Sequence, residues 1–93
     1  MTIQTVNIPQ NTIVDIYTTT AIPVGTSIQI STQSMFYSTF LKESATEPTM
    51  DTEDAEILSS IQHPRSVVVI PQGSSKIWAF SLDGSLKLTI QVL

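Results

Sequence analysis

Lys76 to Leu82 reads KIWAFSL, Asp83-Gly84 follows, and Ser85 to Val92 reads SLKLTIQV. Two apolar-rich runs flanking Asp-Gly form a β-hairpin signature, because these residues supply the backbone conformations of a tight turn between antiparallel strands. Side-chain parity then fixes the register. A two-residue loop at Asp83-Gly84 pairs Ser81 with Leu86 and Ala79 with Leu88, which puts Trp78 and Phe80 on the face of Lys87 and Thr89. A three-residue loop, Leu82-Asp83-Gly84, pairs Phe80 with Leu86 and Trp78 with Leu88. It gathers Trp78, Phe80, Leu86, Leu88 and Ile90 on one face. Slipping by one residue exposes that whole set, so the sequence predicts the three-residue loop, with Gly84 left-handed as a G1 bulge.

The rest of the chain repeats the theme of short strands between polar turns. Thr2 to Ile8 is a first strand, closed by Pro9-Gln10-Asn11, and Thr12 to Tyr17 a second. Pro23 and Gly25 mark a turn, after which Thr26 to Thr32 alternates with Ile28 and Ile30 on one side, as a half-buried strand does. Met35 to Lys42 (MFYSTFLK) is apolar on both parities. Glu43 to Thr52 reads as a loop. Asp51 or Thr52 then caps a short helix near residues 52–60, its apolar face made by Ile57, Leu58 and Ile61 and its acidic first turn complementing the helix dipole. Ser66 to Ile70 (SVVVI), between Pro64 and Pro71, has the composition of a central strand. The expected fold is all-β and mainly antiparallel. It is a small β-sandwich or barrel of about seven strands in a single domain, residues 1–93.

Composition narrows the chemistry. Of 93 residues only 13% are charged, against about 25% in an average domain, and the polar surface is therefore built mainly from Ser, Thr and Gln. Hydroxyls and amides are cheaper to desolvate than ions, so such a surface can be covered by a partner without stranding charge. Net charge is −4, and six of the eight acids (Glu43, Glu47, Asp51, Glu53, Asp54 and Glu56) lie in one window. The four cations are scattered, with no basic patch to meet phosphates, which argues against nucleic-acid binding. No apolar stretch approaches the roughly 20 residues of a membrane span, and the N-terminus lacks the pattern of a signal peptide. With no Cys there are no disulfides or thiolate sites. A soluble protein of a reducing cytoplasm is expected.

Catalytic equipment is equally sparse. His63 is the one histidine, and no Gly-x-Ser-x-Gly elbow accompanies it, so it reads as a loop residue and the chain as a non-enzyme. The run Asp51 to Glu56 (DTEDAE) invites a calcium reading. An EF-hand loop needs Gly sixth and Glu twelfth, where Glu56 and Gln62 stand, so a solvated helix start is preferred. Trp78, Tyr17 and Tyr37 offer a platform for a sugar ring, but Trp78 beside Phe80 reads as core. Gly25, Gly73 and Gly84 lie too far apart to cradle a phosphate. No catalytic residue, cofactor or metal is assigned.

The order of features carries a resemblance. Ile8-Pro9 with Asn11-Thr12 leads to Val14-Asp15-Ile16-Tyr17, then Ile22-Pro23-Val24-Gly25-Thr26, then Glu43 to Thr49, and the chain closes on Ile77 to Ser81 and a Leu-rich strand. Over about residues 8 to 92 this resembles small β-rich virion proteins of tailed bacteriophages, among them capsid decoration (cement) and head-fibre proteins. The resemblance implies a structural virion component at the capsid surface, made in the host cytoplasm. Its partner would be the major capsid protein or another virion protein, and its own assembly a homo-oligomer, with a trimer favoured. The alternative is a carbohydrate- or receptor-binding module of a tail or fibre. The surfaces expected to meet a partner are two. One is the N-terminal strand, through Thr2, Ile3, Gln4 and Val6, which offers a sheet edge. The other is the strand Met35 to Leu41, through Met35 and Tyr37.

Overall fold

The computed structural model of the chain describes residues 3–32, 37–51, 56–59 and 67–93, with the backbone alone for 56–59. Among the described residues eight strands and one short helix follow in the order β1 (Ile3–Ile8), β2 (Val14–Asp15), α1 (Ile16–Thr20), β3 (Ile28–Thr32), β4 (Thr39–Glu43), β5 (Glu56–Ser59), β6 (Val67–Ile70), β7 (Ile77–Phe80) and β8 (Leu86–Val92). They form two four-stranded antiparallel sheets, a front sheet in the order β1-β8-β3-β6 and a back sheet in the order β2-β7-β4-β5. The all-β, mainly antiparallel fold is therefore the one expected, as a sandwich.

The alternation of each front strand puts one set of side chains into the layer between the sheets. Val6 and Ile8 of β1, Ile28 and Ile30 of β3, and Leu88 and Ile90 of β8 are buried there. They meet Leu41, Ile77 and Ala79 of the back sheet, with Ile16, Tyr17 and Ile22 closing one side. Burial of such side chains contributes about 1.5–3 kcal/mol each, which is how a chain without disulfides is held together.

The Asp83-Gly84 hairpin does not form. β7 pairs with β2 and β4, whereas β8 pairs with β1 and β3, so the segment between them is an arch from the back sheet to the front one. Each strand of the expected hairpin has both neighbours supplied by distant segments, and this long-range pairing overrides the local turn signal. Asp83 accepts from Ser81 Oγ (3.1 Å) and from the Ser38 backbone N–H (3.2 Å), which fixes the arch instead of a turn. Gly84 is not left-handed; positive φ among the glycines belongs to Gly25 and Gly73. Space is tight at Gly84: a Cβ there would fall within 3.0 Å of three carbons of the Tyr37 ring, so a larger residue would displace that ring. The β1–β2 connection crosses beside this arch and is bonded to it, Asn11 N–H donating to Ser81 O at 2.8 Å and Gln10 N–H to Ser85 Oγ at 2.9 Å.

Three further expectations change. Residues 56–59 are a strand paired with β4, not part of a helix over 52–60; residues 52–55 and 60 lie outside the described residues. A nine-residue helix is marginal by itself, and four residues are too few for periodicity to separate helix from strand. The second strand ends at Asp15, because its carboxylate caps α1 by accepting from the backbone N–H groups of Tyr17 (3.1 Å) and Thr18 (3.3 Å). The helix closes on Ala21 in the left-handed conformation. Finally, β6 is an edge strand, not a central one, with Val67 and Val69 turned to solvent.

Candidate functional site

The two sheets differ on their outer faces. Side-chain parity sends Ile77 and Ala79 inward and Trp78 and Phe80 outward on the back sheet, with Phe40 opposite Phe80 and Lys42 opposite Trp78. Trp78 and Phe80 are nonetheless buried. Phe40 stacks on Phe80 at 5.4 Å between centroids, and the Lys42 ammonium sits 6.0 Å from the Phe80 ring. Residues 44–51 fold back over this layer. Trp78 Nε1 donates to Ser44 O (2.9 Å), and Lys42 Nζ donates to Thr49 O (3.0 Å) and pairs with Asp51 Oδ1 (2.9 Å). Trp78 and Phe80 thus form a second apolar layer, on the far side of the back sheet from Leu86, Leu88 and Ile90. The expected common face is divided between two layers, because the two strands belong to different sheets.

Among the described residues, the outer face of the front sheet is half-buried at its centre and exposed at its margins. Gln29 lies opposite Gln91 and Ser31 opposite Thr89 at its centre. Toward one edge Ser31 and Gln29 neighbour Val67 and Val69 of β6; toward the other, Gln91 and Thr89 neighbour Ile3 and Thr5 of β1. Val67, Val69 and Ile3 are 54%, 56% and 59% exposed, values matched among the described large hydrophobics only by Leu93, which continues β8. Among the described residues the four front strands hold one charged side chain, Lys87, at the end of the sheet opposite Asn7. An open, largely apolar hollow of about 260 Å³ lies at that end, lined by Ile8, Pro9, Leu86 and Lys87 with Asn7 and Ser85. The low charge of the sequence is thus concentrated into one surface. The acids are elsewhere: Asp15 is paired with Lys76 at 3.6 Å, Glu43 accepts from the Ser75 backbone at 2.9 Å, and Asp51 is held by Lys42.

The residues expected to meet a partner are distributed as follows. Ile3 is exposed at the outer face of β1. Gln4 is partly buried, its Nε2 donating to Thr20 O at 3.0 Å, which ties β1 to α1. Val6 points into the core, so the strand presents Ile3, Thr5 and Asn7 outward in its place. Tyr37 is exposed and lies against Gly84. Thr2 and Met35 lie outside the described residues, as does His63. Gln29, Ser31, Thr89, Val67 and Val69 complete the open face and were not singled out by sequence. Their signal is the alternation of polar residues along β3 and β8, but adjacency of β3, β8 and β6 is a long-range fact.

Of the three aromatics suited to a sugar platform, Trp78 and Tyr17 are buried and Tyr37 is open. The Tyr17 hydroxyl donates to Thr26 O at 2.8 Å. Burial, with the nearby Glu43 carboxylate as the lesser cause, holds it above the ordinary phenol range. Among the described residues no three His, Cys, Asp or Glu side chains converge as metal ligands, and no helix is long and apolar enough to cross a membrane. Compared with protein-family models, curated proteins and solved structures, the chain matches none.

Proposed function

We propose that this chain is a non-enzymatic structural protein of a phage virion, a capsid decoration protein that binds the capsid surface and stabilises it. The observation that supports this reading is the open outer face of the front sheet. Covering it removes amides, hydroxyls and apolar side chains from water and leaves Lys87, at the margin, as the one described charge of the front strands to be desolvated. That is an inexpensive surface to bury, and the exposed Ile3, Val67 and Val69 add favourable apolar area. Contact with the major capsid protein or another virion protein through this face would place the charged back sheet and its 44–51 segment toward solvent. Clamping then needs no chemistry, only a rigid sheet that spans neighbouring subunits.

Protein analysis of particles purified from the source culture tests the reading. The chain is expected at a fixed ratio to the major capsid protein. Ser31→Lys, which sets a charge at the centre of the face, should lower its occupancy on the particle by about tenfold or more. Absence of the chain from purified particles would overturn the proposal.

A further inference from the structure

We infer that the outer face of the front sheet is where two copies of this chain meet, face to face about a two-fold axis. The inference rests on reading this face as the assembly surface: in free solution a second copy covers it, and on the particle the capsid takes that copy's place. A two-fold interface brings each patch against the same patch of the other copy, so its residues must suit their own kind. Those at the centre do. Gln29, Ser31, Thr89 and Gln91 sit side by side on β3 and β8, and amides and hydroxyls both donate and accept hydrogen bonds. A carboxylate only accepts and an ammonium group only donates, so a charged patch laid on its own copy is repelled and left unsatisfied. The margins are self-compatible as well, since Val67 and Val69 on one edge and Ile3 on the other are apolar and more than half exposed.

The remainder of the molecule points the same way. The chain carries a net charge of −4, and every described acid (Asp15, Glu43, Glu47, Asp51, Glu56 and Asp83) lies outside the front strands. Two copies approaching through their back sheets present like charges to one another; through their front sheets they do not. The size of the face is that of weak, reversible contacts. Four strands about 4.8 Å apart and about five residues long at about 3.4 Å each give a face of roughly 20 by 17 Å. Two such faces with their side chains bury on the order of 1,000 Å², at the low end of specific interfaces, so a dimer of micromolar affinity is expected.

Sedimentation equilibrium of the full chain across the micromolar range should give a reversible species of twice the monomer mass. Gln29→Lys and Gln29→Glu, each alone, should weaken it by about a hundredfold, and an equimolar mixture of the two should restore the dimer mass. Circular dichroism checks that both variants fold; Ser31→Lys with Ser31→Glu is the alternative pair if they do not. A monomer at every concentration, a dimer indifferent to either charge, or a mixture no heavier than its components would overturn the face-to-face dimer. Indifference to charge would point to pairing through the β6 edge, which Val68→Pro would break. Failure of the dimer is distinct from failure of the virion reading: a monomeric chain still found on purified particles removes only the former, and a dimeric chain absent from them removes only the latter.

Discussion

The front sheet leaves Gln29, Ser31, Thr89 and Gln91 half-buried on its outer face, whereas the back sheet lays residues 44–51 over Trp78 and draws Phe40 and Lys42 across Phe80. Both sheets contribute an apolar inner face to the same core. Among the described residues the second apolar layer lies outside the back sheet, and it is where the charges Lys42, Asp51, Asp15 and Lys76 are tied down. The difference shows how a charge-poor chain divides its surface. Charge gathers on the sheet whose outer face is already closed by its own loop, and the sheet left open is the one that a partner can cover without desolvating ions.

Given that division, truncation on the two outer faces has unequal consequences. Phe80→Ala should cost about 3–5 kcal/mol, because Phe80 is fully buried and the stack with Phe40 collapses. A truncation at Gln29 on the front face should stay within about 0.5 kcal/mol. Denaturant midpoints at unchanged slope measure both. Equal losses at the two positions would mean that the front face is structural rather than open.

The same contrast explains what was legible in the sequence. Strand positions are a local property: the alternation of Ile28 and Ile30, or of Leu86, Leu88 and Ile90, places β3 and β8 correctly. Sheet membership is not local. Except for β4 and β5, consecutive strands lie in different sheets, so Asp83-Gly84, read as a hairpin, connects two layers. A clue was present in β7, whose Ile77 to Phe80 are apolar on both parities while β8 alternates; a strand between two apolar layers and a strand with one wet face belong to different environments. The SVVVI run shows the limit in the other direction. Its composition suits a buried strand, yet Val67 and Val69 face water at an edge, because hydrophobicity says that a surface is to be covered but not by what. The helix at Ile16–Thr20 rests on Asp15 as its cap, against the weak helix preference of three threonines. Thr20 compensates by donating its hydroxyl to Ile16 O at 2.8 Å.

The inner faces offer a sharper comparison. In the front sheet the inner face is aliphatic but for Thr32 at the end of β3, whereas in the back sheet Thr39 is 0% exposed and its Oγ1 has no hydrogen-bond partner among the described residues. A buried unpaired hydroxyl costs about 1–3 kcal/mol. Thr39→Val keeps the shape and removes the hydroxyl, so it should stabilise the chain by about 1–2 kcal/mol, read as a higher urea midpoint. A lower midpoint would show that the hydroxyl is satisfied and that the back sheet's inner face is as well matched as the front's.

Tyr17 links the layers through its bond to Thr26 O, and it should give the chain an alkaline limit. Burial raises its hydroxyl above the ordinary 10.0, so the folded chain favours the neutral phenol that the unfolded chain loses near pH 10. That contribution is complete below about pH 10 and disappears as pH rises through the folded value. Tyr17→Phe should cost about 1 kcal/mol at neutral pH through the lost hydrogen bond and should flatten the fall in stability above pH 10. An unchanged alkaline slope would place the sensitivity elsewhere.

The smallest expected effect concerns the charges themselves. Asp51 is about half exposed, and Lys42 retains Thr49 O when the carboxylate is neutralised. Asp51→Asn should therefore cost only about 0.5 kcal/mol. The difference should close near 1 M salt, where the screening length falls to about 3 Å. Lys87→Gln, which removes the front sheet's single described charge, should leave stability unchanged at both salt concentrations, since Lys87 is exposed at the end of β8. Should Lys87→Gln cost as much as Asp51→Asn and respond to salt in the same way, the front face would owe its order to charge, and its low charge density would no longer mark it as the surface made to be covered.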